Sequence, residues 1–304
     1  MRRRRICPLV SLLTAVLVLV PGVGTAAAGA STSSQTQDLQ QCPELVVLVA
    51  RGNNDAGGDF APRRYGGPTG RQSNGHESQR VGDFLEFVEQ RYRDTHDGEW
   101  LLADVQVYGL SEQFYPADIP IPEIKDDSDV LTLLSSAGDL TQDVVSGIRR
   151  MVTVGAAGAR AGIEDYEQRT GCAPHYLLFG YSMGTMVLAP QERWLAERGR
   201  LAGAVYVASP FQVGGHSPVA GVSSTSTGLL GHLPPPLRPE AGTANRAYYC
   251  LPDDPVCDPS PRALDRALAE DEGGPHAHYF RDLTGPGVAA LADTMGGWID
   301  RTRH

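Results

Sequence analysis

The sequence predicts an α/β fold in which helices cover both faces of a parallel sheet, giving three layers. Short continuous apolar runs, such as Leu45–Ala50 and Leu201–Ala208, are typical of strands that are buried on both faces. Longer segments between such runs carry apolar residues at helical spacing, as in Glu77–Tyr92. Strands that alternate with helices produce a parallel sheet covered on both sides.

The strands and loops follow from apolar runs and from breaker residues. We predict strands at Leu45–Ala50, Leu101–Tyr108, His175–Phe179, Leu201–Ala208 and Arg246–Cys250. Glycine- and proline-rich segments between them are predicted to be loops: Arg51–Gly75, Ser111–Asp129 and Ser209–Thr243. The length of the last segment is typical of a functional lid or of disorder.

The helices follow from apolar residues on one face. We predict helices at Glu77–Tyr92, Asp139–Thr170, Met183–Arg198 and Val288–Ile299. Asp139 and Gly171 are the expected caps of the second helix, and Pro190 should kink the third because proline interrupts helical hydrogen bonding.

The first thirty residues have the composition of a secretory signal peptide. Arg2–Arg5 form a basic start, and Ile6–Val20 is apolar but too short for a stable membrane span. Alanines near position 28 offer a cleavage site. We therefore expect a secreted protein with a disordered mature terminus at 31–41 and one folded domain at 42–304.

The charge balance limits the possible partners. The chain has 26 basic and 36 acidic residues, and loss of residues 1–30 removes four arginines, which leaves 22 against 36 and a net charge of −14. An acidic surface disfavours binding to nucleic acids and to anionic membranes. We expect a monomer with no stable membrane span.

A Gly-x-Ser-x-Gly pattern at Gly180, Ser182 and Gly184 directly follows a predicted strand and precedes a predicted helix. This context is typical of a nucleophile elbow, a sharp turn that exposes a serine at the end of a strand. The pattern alone is common in a glycine-rich chain, so its position between strand and helix carries the prediction. Ser182 is the candidate nucleophile.

A serine hydroxyl needs a base, which is usually a histidine oriented by a carboxylate. In α/β-hydrolases these groups follow one another in the order serine, acid, histidine. After Ser182 the acid candidates are Asp253 and Asp254, and the base candidates are His276 and His278 in a predicted loop. The alternative is that all four are ordinary solvated side chains. Two rival bases precede the acid: His216 and His232.

An oxyanion site needs hydrogen-bond donors aimed at the reacting carbonyl. The backbone N–H of Met183, which directly follows the elbow serine, is one candidate. The second should come from the loop after the first strand, around Gly52 and Asn53, and the Asn53 amide is a further donor.

Four cysteines remain after loss of the leader, and an even number in a secreted protein predicts two disulfides. Three pairings are possible, and the short separation of Cys250 and Cys257 favours a bond between them. Zinc is the alternative, but the Cys-x₆-Cys spacing is poor for it and the expected compartment is oxidising. His276 and His278 also lack a third ligand at suitable spacing. We predict no metal and no cofactor.

Four segments resemble the cutinase family of secreted serine esterases, which are small α/β-hydrolases. Residues 42–53 resemble the family's first cysteine, strand and Arg-Gly turn, and residues 172–184 resemble its cysteine, strand and elbow. Residues 250–257 resemble its Cys-x₃-Asp-x-Val-Cys acid loop, and residues 275–279 its Pro-His-x-x-Tyr motif. The sequence departs from the family at Asn53, where serine or threonine is usual, and at Met183, where glutamine is common.

The resemblance implies a role for particular residues. It selects Asp254 and His276 as the partners of Ser182, and it implies the disulfides Cys42–Cys172 and Cys250–Cys257. It also implies an ester substrate that is lipid-like or polymeric. The loops look longer than those of compact members, so cutin itself does not follow as the substrate.

The leading hypothesis is therefore a secreted carboxylic ester hydrolase that forms an acyl-enzyme on Ser182. An acyltransferase would use the same three residues but pass the acyl group to another alcohol. A binding protein would keep the fold without catalysis, which the departures at Asn53 and Met183 suggest as an alternative.

Overall fold

The computed structural model describes residues 41–52, 61–117, 151–215, 219–222, 225–234, 238–239, 241–269, 271–285 and 287–303. Several predictions lie outside these residues. They concern the signal peptide at 1–30, residues 31–40 of the expected disordered terminus, Asn53, and the first part of the helix predicted from Asp139.

A six-stranded sheet forms the centre of the protein, and each neighbouring pair of strands is parallel. The strands are β1 (Leu45–Ala50), β2 (Val105–Gly109), β3 (His175–Tyr181), β4 (Leu201–Val207), β5 (Val219–Ala220) and β6 (Arg246–Tyr249). Their order across the sheet is β2-β1-β3-β4-β6-β5. The predicted parallel α/β architecture is confirmed.

Helices cover both faces of this sheet. They are α1 (Gln79–Thr95), α2 (Ala156–Thr170), α3 (Met183–Leu188), α4 (Gln191–Glu197), α5 (Pro261–Ala269) and α6 (Val288–Arg303). A π-helical turn at Met151–Gly155 leads into α2, and a 3₁₀-helix occupies Asp271–Ala277. Within the described residues, α1 and α6 pack on one face and α2, α3 and α4 on the other.

The alternation of β1 explains how the two apolar cores form. Leu45, Val47 and Val49 pack with α1 and α6, whereas Val46 and Leu48 pack with the helices of the opposite face. All five side chains are fully buried. Burial of each such side chain stabilises the fold by about 1.5–3 kcal/mol. This is why successive residues of the strand are apolar on both faces.

Most predicted elements are present with ends that differ by up to four residues, and two differ for identifiable reasons. The second strand begins at Val105 rather than at Leu101, because the Glu89 carboxylate accepts the N–H groups of Leu101 and Leu102 at 2.7 and 3.0 Å. The third predicted helix is two helices, α3 and α4, which separate at Pro190 rather than bend there.

Three elements were not predicted. Residues 271–277 form a 3₁₀-helix rather than a loop, and β5 lies within the segment that was predicted to be irregular. Helix α5 begins at Pro261, and the Ser260 hydroxyl accepts the Ala263 N–H at 3.0 Å as its cap. Proline at the first helical position and serine before it are start signals that could have predicted α5.

Gly171 ends α2 as predicted. It adopts a left-handed conformation (φ 69°), and its N–H donates to the Glu167 carbonyl at 2.8 Å. Among the described helices, none combines the length and the apolar character that a membrane crossing requires.

Candidate active site

Ser182 lies on the tight turn that joins β3 to α3. Its backbone has φ 51° and ψ −120°, a conformation that non-glycine residues rarely adopt. A Cβ at Gly184 would lie 2.0 Å from the Ala50 carbonyl oxygen, and a Cβ at Gly180 would lie 2.8 Å from Thr185 Cα. The two glycines therefore permit the close backbone contacts that hold the serine clear of β3.

The three residues that the resemblance selects lie within hydrogen-bonding distance of one another. Ser182 Oγ is 2.8 Å from His276 Nε2, and His276 Nδ1 is 3.0 Å from both carboxylate oxygens of Asp254. Ser182 can thus donate to Nε2 while Nδ1–H donates to the carboxylate. The acid follows β6 and the histidine comes later in the chain.

This arrangement on a parallel sheet decides the structural class. The fold is that of an α/β-hydrolase. As in α/β-hydrolases, the candidate nucleophile stands at the carboxyl end of a central strand, here β3.

The two acid candidates have different environments. Asp254 is fully buried and also accepts hydrogen bonds from Tyr279 Oη at 2.6 Å and from the Val256 N–H at 2.8 Å. Asp253 instead pairs with two arginines of α5, Arg262 and Arg266, each at 3.2 Å. Of the two acid candidates, Asp254 is the one that hydrogen-bonds the imidazole of His276.

The histidine candidates also differ in the contacts that they make. The carbonyl oxygen of His276 accepts a hydrogen bond from Tyr181 Oη at 2.6 Å, which ties the 3₁₀-helix to the residue before the nucleophile. The His278 N–H donates to the Pro275 carbonyl at 3.0 Å. The rival base His232 is exposed, and His216 lies outside the described residues.

Electrostatics favour a charged acid beside the imidazole. Burial acts to raise the pKa of Asp254, but the attraction of His276 and three kinds of hydrogen bond outweigh it and lower this pKa. Burial acts to lower the pKa of His276, but the charge and hydrogen bonding of Asp254 raise this pKa above its usual value. The pair therefore stabilises an imidazolium, the form that a general base reaches after it takes a proton.

The oxyanion candidates are described only in part. Met183 is the first residue of α3, a position whose N–H has no partner one turn earlier in the helix. A Cβ at Gly52 would lie 3.5 Å from Ser182 Cβ, so Gly52 passes beside the candidate nucleophile. Asn53 follows Gly52 but lies outside the described residues.

Both disulfides that the resemblance implies are present. Cys42 and Cys172 are joined with a Cα–Cα distance of 5.4 Å, and Cys250 and Cys257 with 6.0 Å. The second bond closes the loop that carries Asp254. Ligand atoms of Cys250, Asp254 and Cys257 lie within 4.8 Å of one another, but the sulfur atoms are already bonded, so this group does not fit a metal ion.

A small apolar cluster adjoins the elbow. Met183 and Met186 pack with Phe211 and Leu230 of the long segment after β4. The Leu229 N–H donates to the Val256 carbonyl at 3.0 Å, so this segment is also attached to the acid loop. The described residues Phe211, Leu229 and Leu230 of the segment that we predicted as a loop or lid therefore lie against the elbow and the acid loop.

Sequence reasoning assigned no role to Tyr279 or to Arg51. Tyr279 belongs to the Pro-His-x-x-Tyr motif, and its hydroxyl touches the candidate acid. Arg51 is fully buried, and its guanidinium donates to the Leu110 carbonyl at 2.8 Å and to Glu112 at 2.7 Å. An arginine directly after an apolar strand was the available signal for this group. Its hydrogen bonds connect the end of β1 to the residues that follow β2.

Several solved structures are similar to this chain. A cutinase-like protein from Cryptococcus sp. is 15% identical, with 85% of this chain and 96% of that chain covered and a TM-score of 0.45. An acetyl xylan esterase is 14% identical, with 85% and 100% covered and a TM-score of 0.46. A Trichoderma reesei cutinase in complex with a phosphonate inhibitor is 16% identical, with 85% and 77% covered and a TM-score of 0.37.

No protein-family model matches the sequence, and no curated protein matches it. At the identities above, the likeness concerns the fold alone. The chemistry of the site therefore rests on the residues of this chain.

Proposed function

We propose that this protein is a secreted serine esterase that hydrolyses carboxylic esters through an acyl-enzyme on Ser182. The observation that carries the proposal is the continuous hydrogen-bonded series from Ser182 Oγ through His276 to Asp254, at 2.8 and 3.0 Å. A hydroxyl, an imidazole and a buried carboxylate in this order form a nucleophile with its base and its orienting acid.

The proposed reaction has two halves. Ser182 Oγ attacks the ester carbonyl while its proton passes to His276 Nε2, and the N–H groups of Met183 and Asn53 bind the oxyanion. The C–O bond to the alcohol then breaks, and His276 returns the proton to the leaving oxygen. Water, deprotonated by His276, attacks the acyl-enzyme and releases the carboxylic acid, which restores the free serine.

Two features support hydrolysis of esters with an apolar acyl group. The His276 side chain is 25% exposed, so water can reach the base. The apolar cluster of Met183, Met186, Phe211 and Leu230 lies next to the nucleophile and offers a surface for an acyl chain. A secreted location is supported by the leader-like residues 1–30 and by the two disulfides, which persist in oxidising compartments.

Hydrolysis of p-nitrophenyl esters of increasing acyl length tests the proposal. We expect the mature protein to hydrolyse short and medium esters, and Ser182→Ala to lose this activity by about 10⁵-fold or more. A fluorophosphonate probe should label the wild type and not the Ser182→Ala variant. Equal inertness of both proteins toward every ester and toward the probe would remove the catalytic proposal and leave a binding role.

A further inference from the structure

Residues 225–234, named here the wall segment, are hydrogen-bonded to two other parts of the chain. The Leu230 N–H donates to the Pro210 carbonyl at 2.8 Å, which attaches the wall segment to the residues that follow β4. The Leu229 N–H donates to the Val256 carbonyl at 3.0 Å, which attaches it to the acid loop. The position of the wall segment therefore depends on both neighbours.

Glycines let the wall segment approach the residues after β4 at backbone distance. A Cβ at Gly228 would lie 2.6 Å from the Pro210 carbonyl oxygen, and a Cβ at Gly231 would lie 2.4 Å from the Gln212 carbonyl oxygen. Both distances are shorter than a carbon–oxygen contact allows, so any side chain at these glycines would push the wall segment away. Close packing on this side leaves the acid loop as the other support of the wall segment.

The wall segment presents leucine side chains to the elbow. Leu230 is buried, and the residue that directly follows the candidate nucleophile, Met183, belongs to the same apolar cluster. Leu229 and Leu233 are partly exposed and pack against this cluster. An acyl chain that extends from a carbonyl at Ser182 therefore meets apolar surface contributed by the wall segment.

A side-chain hydrogen bond joins the wall segment to the end of the acid loop. Ser226 Oγ donates to Asp258 Oδ1 at 2.7 Å, and it also lies 3.2 Å from the Cys257 carbonyl oxygen. A hydrogen bond to a carboxylate is stronger than one between neutral groups. This bond therefore reinforces the backbone contact between Leu229 and Val256.

Asp258 also holds the turn that carries the candidate acid. Its Oδ2 accepts the Asp253 N–H at 3.1 Å, and its own N–H donates to the Asp254 carbonyl at 2.8 Å. Asp253 has φ 62°, a left-handed conformation that residues other than glycine rarely adopt, so the turn depends on such bonds. One carboxylate thus connects the wall segment to the backbone on which Asp254 is mounted.

We propose that Ser226 and Asp258 are positioning residues that set the acyl specificity of the enzyme. Their hydrogen bond holds the wall segment against the acid loop, so that Leu230 and its neighbours stay in contact with a straight acyl chain of butyryl length or longer. The inference rests on the proposed function, because the acyl chain is placed by the carbonyl that Ser182 attacks. Shorter acyl groups such as acetyl end before they reach this surface.

Two esters that differ only in acyl length test the proposal. We expect wild type to prefer p-nitrophenyl butyrate over the acetate by about tenfold in kcat/KM, because burial of two further methylene groups contributes about this factor. Ser226→Ala should lower this ratio to about threefold or less, since the wall segment loses its bond to the carboxylate. Ser226→Thr keeps the hydroxyl and should restore most of the ratio. Comparing ratios between proteins cancels differences in the folded fraction.

Two further variants separate the parts of the network. Asp258→Ala should lower the ratio and also lower kcat for both esters, because the Asp253 N–H loses its acceptor as well. Leu230→Ala should lower the ratio without breaking the bond between Ser226 and Asp258, because it shortens the apolar side chain itself.

Ser260→Ala is the matched control. The Ser260 hydroxyl lies two residues beyond Asp258 and accepts the Ala263 N–H at 3.0 Å, where it caps α5. This variant loses a serine hydrogen bond of the same neighbourhood that does not reach the wall segment. It should keep the wild-type ratio.

Three outcomes would overturn the proposal. An unchanged ratio in active Ser226→Ala or in active Leu230→Ala would exclude the wall segment as the acyl surface that Ser226 positions, and would leave the esterase function intact. An equal fall of the ratio in Ser226→Ala and Ser260→Ala would show general loosening of the loop instead of a specific link. Inertness of wild type toward both esters and toward a fluorophosphonate would contradict the proposed function itself.

Discussion

The hydroxyl of Tyr279 joins the acid loop to the segment that carries the histidine. It donates to Asp254 Oδ2 at 2.6 Å and accepts from the Leu251 N–H at 2.9 Å. Burial and the neighbouring carboxylate raise the pKa of Tyr279 well above its usual range, so the hydroxyl stays protonated and can donate. We therefore propose that Tyr279 is a positioning residue that acts on His276 through Asp254.

Replacing Tyr279 by phenylalanine should weaken catalysis and change its pH dependence. The carboxylate loses one donor and attracts His276 more strongly, so the acid-side midpoint of the kcat/KM profile should move to higher pH. We expect kcat/KM at the optimum to fall about tenfold, the size of one lost hydrogen bond to a charged group. Steady-state kinetics across pH measure both changes.

Tyr92→Phe is the matched control for this variant. Tyr92 Oη also donates to an aspartate, Asp300, at 2.6 Å, but the pair joins the carboxyl ends of α1 and α6, away from Ser182. This variant should keep the wild-type midpoint. A profile that shifts equally in both variants would show that Tyr279 has only a structural role.

The pH dependence of the wild type follows from His276 itself. The base must be neutral to accept a proton, and Asp254 raises the pKa of His276. Activity should therefore fall as pH is lowered through a midpoint above about 6.5, the usual value for histidine. Asp254→Asn should move the midpoint down and lower the plateau rate by about 10³- to 10⁴-fold. A midpoint that is the same in both proteins would contradict the assigned pair.

The two disulfides act on different elements. Cys250–Cys257 closes a seven-residue separation around Asp254, whereas Cys42–Cys172 spans 130 residues and joins the start of the domain to the segment before β3. The chain-entropy relation predicts a stabilisation of about 2–3 kcal/mol for the short loop and about 5 kcal/mol for the long one. Removal of Cys42–Cys172 should therefore lower stability more, whereas removal of Cys250–Cys257 should lower activity more.

Cys250→Ala with Cys257→Ala should lower kcat/KM more than it lowers the free energy of unfolding, because the acid loop loses its closure. Cys42→Ala with Cys172→Ala should destabilise the protein more and leave kcat/KM of the folded fraction close to wild type. Denaturant unfolding and steady-state kinetics at a temperature where both variants are folded separate the two effects. An activity loss that follows stability alone in both variants would contradict a local role for Cys250–Cys257.

At the level of elements, the sequence predicts best where one physical signal dominates. Strand β1 has the predicted bounds because its six consecutive apolar residues are all buried, which suits a strand covered on both faces. The start of β2 is misplaced because its signal competes with a distant carboxylate, Glu89, that takes two backbone donors. Strand β5 has two residues and exists through its pairing with β6, so no local pattern indicates it.

For the whole molecule, the predicted chain order of the site was more informative than any single motif. Ser182, Asp254 and His276 come from segments that follow strands of the sheet, and a parallel sheet brings such segments to one edge. The chain order of these residues does not give the distances between their side chains. It also does not predict the hydrogen bonds of Tyr181 and Tyr279, because both depend on how side chains pack between the segments. The role of Asn53 stays a prediction.

A buried ion pair links helix α4 to β6, the strand that leads into the acid loop. Arg246 on β6 donates through Nε and Nη2 to the two carboxylate oxygens of Glu192 on α4, at 3.0 and 2.7 Å. Glu192 also accepts from Tyr206 Oη at 2.7 Å and from the Gly242 N–H at 2.9 Å. The Glu192 side chain is fully buried, and these partners supply the hydrogen bonds that water would otherwise make.

Glu192→Gln should therefore destabilise the protein by about 3–5 kcal/mol, because it leaves the Arg246 charge buried without a counter-ion. The exposed pair Arg91–Asp293 is a matched control, since Arg91 also donates through Nε and Nη2, at 2.7 Å each, but the side chains are 35% and 57% exposed. Asp293→Asn should cost about 0–1 kcal/mol. Denaturant unfolding measures both values, and equal losses would show that burial does not set the strength of the Glu192–Arg246 pair.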